Sequence, residues 1–135
     1  MPRAKGKPSA ALIDQVLSEA SWLLSHAQAL TDYGRTEEAA TEWARAAGCE
    51  EQAACLLDAD GQEHEAALHR VSAASCCERL GQYARAVTLL RAALPANLPE
   101  EFRTRVERQL AAALERALKD LSRAFARRTR ARSPA

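Results

Sequence analysis

Two glycine-centred segments, 47 residues apart, constrain this chain more than any other feature in it. SHAQALTDYGRTEEAATEWARAAG (residues 25–48) aligns with SAASCCERLGQYARAVTLLRAALP (residues 72–95). The alignment pairs Ser25 with Ser72, Ala27 with Ala74, Gly34 with Gly81, Ala39 with Ala86, Thr41 with Thr88 and Ala46 with Ala93, and sets Trp43 opposite Leu90. A weaker third copy centres on Gly61, with Ala66 and Ala73 at the corresponding later positions. A small residue before the glycine lets two helices approach closely, and the glycine makes the turn. Small residues after it let the second helix nest, while the large apolar residue fills the space between them. Internal repeats of this kind are the signature of stacked helical hairpins.

Composition agrees. Alanine occurs 31 times and aromatics make up 4% of the chain, so helix formers abound and strand formers are scarce. The expected fold is all-α, about six antiparallel helices. Ser9 should cap a first helix from Ala10 to about Asp32, with Leu12, Val16, Leu23, Ala27 and Leu30 on its apolar side. A second helix opens at Thr36 and stops at Gly48, and a third runs from Glu50 to Ala59. The fourth spans Glu63 to Leu80 and the fifth Tyr83 to Leu94. Asn97 and Glu100 have the spacing of a capping box for a last helix ending near Ala126. That helix carries Phe102, Val106, Leu110, Leu114, Leu118, Leu121 and Phe125, a series whose near four-residue spacing drifts around the helix. One part should meet the domain and the other a second protomer. Residues 1–9 read as a disordered basic arm, 10–126 as one domain and 127–135 as a basic, frayed tail.

The net charge of +1 conceals a polarity. Residues 10–65 hold two basic groups against twelve acids, a net of −10, whereas residues 66–135 hold fourteen against six, a net of +8. Such asymmetry suits contact between protomers or with a polarised partner. The segment after the basic arm contains Asp14, Glu19 and His26, so it is no secretory core, and no run is long enough for a membrane span. A cytoplasmic protein with four free thiols (Cys49, Cys55, Cys76, Cys77) is expected.

The hairpin around Gly81 resembles the tetratricopeptide repeat, whose LGxYxxAxxxLxxAL half is met by Leu80-Gly81, Tyr83, Ala86, Leu90 and Ala93-Leu94. The resemblance implies a degenerate right-handed array of hairpins closed by a long C-terminal capping helix. It also implies a partner groove lined by each hairpin's first helix: Leu24, Gln28 and Thr31 in one copy, Val71, Ser75 and Glu78 in the other. The chain departs from the family where Arg70 replaces a large apolar residue, and where turn glycines stand 27 and 20 residues apart instead of about 34. The Lys and Asn clamp that some members use for a terminal carboxylate is absent, which argues against chaperone-tail recognition.

Sites for chemistry are thin. His64 and His69 lie about 140° apart on a helix, and no CxxC or HxxxH spacing occurs. His69 and Cys76 share a face, EHEAALH holds half of a di-iron motif, and Cys76-Cys77 could act as a redox pair; none is complete. No nucleophile motif or phosphate loop is present. The expectation is a non-enzymatic adaptor without metal or cofactor, binding a protein or peptide, with a homo-oligomer possible and no membrane. Two alternatives stay open. One is a nucleic-acid accessory using Arg123, Arg127, Arg128, Arg130 and Arg132, and the other a small metal- or redox-responsive bundle.

Overall fold

Ser9 begins the first helix as its sequence position implies: its Oγ accepts the Leu12 N–H at 3.1 Å. The computed structural model describes residues 6–132, and its architecture is a run of five helices. These are α1 (Ala10–Asp32), α2 (Thr36–Ala59), α3 (Glu63–Arg79), α4 (Tyr83–Ala93) and α5 (Glu100–Arg132). No strand occurs among the described residues. The first five residues of the basic arm and the last three of the tail lie outside the described residues. Each helix packs against its neighbours in sequence, because the connections are too short to place anything else beside them.

The first three turns are copies of one device. Gly34, Gly61 and Gly81 adopt φ of 75°, 80° and 73°. The residue after each glycine donates to the carbonyl five residues back: Arg35 to Leu30 at 2.9 Å, Gln62 to Leu57 and Gln82 to Cys77 at 2.8 Å. These are Schellman closures, which satisfy helix-end carbonyls through a left-handed residue.

Three expected boundaries are corrected. Gly48 does not stop a helix; α2 runs through it for 24 residues, so two expected helices are one and the total is five. A right-handed glycine in an exposed helix loses about 1 kcal/mol against alanine, too little to break a helix packed on both sides. Nothing lies within 4 Å of a Cβ placed on Gly48. Gly48→Ala should therefore raise stability by about 0.5–1 kcal/mol. Gly81→Ala, forced into the left-handed region, should lower it by about 1–2 kcal/mol. Paired urea titrations give both, and opposite signs are the expected outcome.

Likewise, Asn97 does not cap the last helix. α5 starts at Glu100, and the Arg103 N–H bonds the Pro99 carbonyl at 2.8 Å. The linker is held instead by the Arg103 guanidinium, which donates to the carbonyls of Leu94 (3.1 Å) and Ala96 (3.0 Å). Leu98, buried in that linker, joins the core. α5 then continues to Arg132, six residues past the expected stop near Ala126.

The core is mostly alanine lined by a few large residues. Ala27, Ala46, Ala47, Ala53, Ala73, Ala74, Ala86 and Ala93 are closed to solvent, and Leu90 is the largest fully buried side chain. Phe102, Val106, Leu110, Ala113 and Leu114 bring the first half of α5 onto this core.

Candidate functional site

The six residues assigned to a groove lie on α1 and α3, and hydrogen bonds tie those helices to each other and to α5. Gln28 Oε1 on α1 accepts from Arg79 Nη2 on α3 at 3.2 Å, while its Nε2 donates to Asp32 at 2.8 Å. Arg79 also stacks over Trp43 at 5.0 Å, and Trp43 Nε1 donates to Thr31 Oγ1 at 3.0 Å. Further along α3, Gln109 Nε2 of α5 donates to both Ser75 Oγ and Glu78 Oε2 at 3.1 Å. Partial burial raises the Glu78 pKa, and the Gln109 amide partly offsets the rise. Leu24 and Val71 are half-buried against the core. Arg85 of α4 bonds Glu51 of α2. Side chains thus link α1 to α3, α3 to α5, and α2 to α4.

Another feature was missed by sequence reasoning. α2 carries two buried acids, Glu42 and Glu50, each held by a histidine of a different neighbour. His26 Nδ1 of α1 donates to Glu42 Oε2 at 3.1 Å, with Arg45 on the other oxygen. His69 Nδ1 of α3 donates to Glu50 Oε2 at 2.5 Å. The hydrogen bond to His26 holds the Glu42 carboxyl below its ordinary range. The bond to Glu50 raises the His69 pKa against the opposing effect of burial. Glu42, Ala46, Glu50 and Ala53 fall on one face at helical spacing. The signal was present in the sequence, but a stop at Gly48 separates the two acids.

Three of the four cysteines, Cys49, Cys76 and Cys77, are buried, and Cys55 is exposed. Burial pushes the Cys76 thiol up to about 12, and burial also raises Cys77 and Cys49. Cys49 Sγ donates to the Val16 carbonyl at 3.4 Å. A thiol held protonated is a poor nucleophile and a poor metal ligand. His69 spends its Nδ1 on Glu50, and no group of three His, Cys, Asp or Glu residues with metal-holding geometry occurs among the described residues.

The basic residues of α5 divide between two faces. Arg123, Arg127 and Arg130 follow four- and three-residue steps along one exposed side of the helix. Arg128 and Arg132 instead continue the line of Leu121 and Phe125. All five arginines are exposed. No helix among the described residues is long and apolar enough to cross a membrane. No protein-family model matches this chain, and neither does any curated protein or solved structure.

Proposed function

We propose that the protein is a non-enzymatic adaptor that binds a protein or peptide partner along the surface shared by α1, α3 and α5. The observation that carries this is the side-chain linkage of alternate helices, Gln28 to Arg79 and Gln109 to Ser75 and Glu78. Linkage between alternate helices is what a tetratricopeptide-like array requires, where the first helix of every hairpin faces one groove. Glu78 and Gln28 would then offer polar contacts, and Leu24 and Val71 the apolar floor. The pairing of His26 and His69 with the buried carboxylates of Glu42 and Glu50 holds α1 and α3 on α2, which suits a rigid binding surface.

The test is purification from the native host under gentle conditions, comparing the natural chain with a Gln28→Arg/Ser75→Arg variant. The natural chain should carry a stoichiometric partner and the variant should lose it while keeping its helical circular dichroism. Recovery of the natural chain alone would count heavily against the adaptor.

One observation favours a second reading, nucleic-acid binding: Arg123, Arg127 and Arg130 form a single exposed ridge. That reading requires retention on heparin to drop sharply when all three become alanine, with a steep salt dependence. Unchanged retention removes it.

A further inference from the structure

The apolar series of α5 is only half used by the domain. Phe102, Val106, Leu110 and Leu114 pack on the core, yet Leu118, Leu121 and Phe125 are 57%, 67% and 73% exposed. From Leu114 onward the steps are four, three and four residues, the spacing of a coiled-coil seam. Extended in the same register, the seam takes in Glu107 and Ala111 before Leu114, and Arg128 and Arg132 after Phe125. All four of these added positions are exposed, and Leu114 alone of the line is half-buried against the core. From Glu107 to Arg132 it spans roughly 38 Å of helix.

We propose that this face of α5 is a dimerisation surface whose occupant is α5 of a second copy, running antiparallel about a two-fold axis between Leu118 and Leu121. The seam is complementary to itself in that direction. Leu118 of each copy meets Leu121 of the other, and Phe125 meets Leu114. At both ends Arg132 meets Glu107, an opposite-charge pair, and Arg128 meets Ala111. The flanking seam positions are small or uncharged at its centre: Ala117 and Ala124 on one side, Ser122 on the other. Arg116, Lys119, Arg123, Arg127 and Arg130 fall on the outer side of the pair, away from the contact. A parallel pairing fails by the same count, because it sets Glu107 on Glu107 and both arginines on their own copies. Like charges in register oppose association, and opposite charges select orientation. The isologous arrangement also closes on itself, so association ends at a dimer. The dimer stands apart from the groove proposal, since Gln109, through which α5 bonds α3, is not a seam position.

Sedimentation of the full-length protein at micromolar concentrations tests this directly. The natural chain should be a dimer, and Leu121→Glu should raise its dissociation constant at least about 100-fold, because both copies then place a carboxylate at the centre of the seam. Leu121 is exposed in a single copy, so the helical circular dichroism of the variant should not change. Charge reversal then reads the orientation. Glu107→Arg and Arg132→Glu should each weaken the dimer several-fold, and the double variant should restore it. Trp22→Glu, at an exposed position of α1 outside the seam, should leave it unchanged. A monomeric natural chain overturns the proposal. So does a dimer indifferent to Leu121→Glu, one lost on Trp22→Glu, or one that the double reversal fails to rescue.

Discussion

Leu90→Ala should cost about 3–5 kcal/mol of unfolding free energy, one of the two largest effects expected in this protein. Leu90 has no exposed surface and is the largest side chain so enclosed. Many of the other residues buried with it are alanines, among them Ala74, Ala86 and Ala93. A wall of alanines cannot collapse into the vacated space, since a methyl group has no rotamer to change and each backbone is already held in a helix. The loss should therefore lie toward the upper end for Leu→Ala changes, transfer and cavity contributions together. Domains of this size have about 5–15 kcal/mol to lose. Urea titration followed by circular dichroism should show the midpoint falling with little change in slope. A loss under about 1.5 kcal/mol would mean that the helices can close the gap, and that the alanine core is looser than its burial implies.

The second large effect lies at the Glu50–His69 pair. Glu50 is 3% exposed, and its bond to His69 joins α2 to α3. His69→Leu removes the donor and leaves a buried carboxylate uncompensated, a loss of about 3–5 kcal/mol. Glu50→Leu/His69→Leu should recover most of it, because removing both partners also removes the desolvated charge. The pair also imposes a pH dependence. A histidine raised by folding stabilises fully below its ordinary pKa of about 6.5, and the contribution is lost as pH rises through the raised value. Glu78, raised by burial, acts with the same sign above the ordinary carboxylate range. The buried thiols, with Cys76 near 12, add a further decline once unfolded cysteines ionise above about 8.5. Glu42 acts oppositely: lowered by His26, it loses its contribution as pH falls below the ordinary range. Stability should thus peak on the acid side of neutrality, at roughly pH 5–6, and decline toward pH 10. In His69→Leu the decline between pH 6 and 8 should flatten while the alkaline limb remains. A natural chain equally stable at pH 6 and 8 would contradict this assignment.

Legibility in the sequence tracked the range of the interaction. The turns at Gly34, Gly61 and Gly81 could be read because a left-handed helix end selects glycine locally, within a few residues. The Ser9 cap is local for the same reason. Gly48 misled because its local cost is about 1 kcal/mol, and packing of α2 against α1 and α3 outweighs it. Asn97 misled because capping spacing needs only four residues to match, whereas the start of α5 is set by Pro99 and by Arg103 holding the linker carbonyls. The drift of the α5 apolar series was visible as a spacing, but only the fold shows where it leaves the core, after Leu114.

The sequence by itself therefore determined the helical class and three of the turns, while on α1 the buried face takes Ile13 in place of the expected Leu12, which is exposed. The class and the turns follow from backbone stereochemistry and from side chains within one or two turns of each other. Tertiary structure alone decided that α2 is flanked on two sides. Its acids became buried because His26 and His69 arrive there from α1 and α3, 16 and 19 residues away. It also decided that Leu118, Leu121 and Phe125 remain uncovered. The reason is geometric: α4 is 11 residues long and α5 is 33, and a short helix cannot cover the far half of a long one.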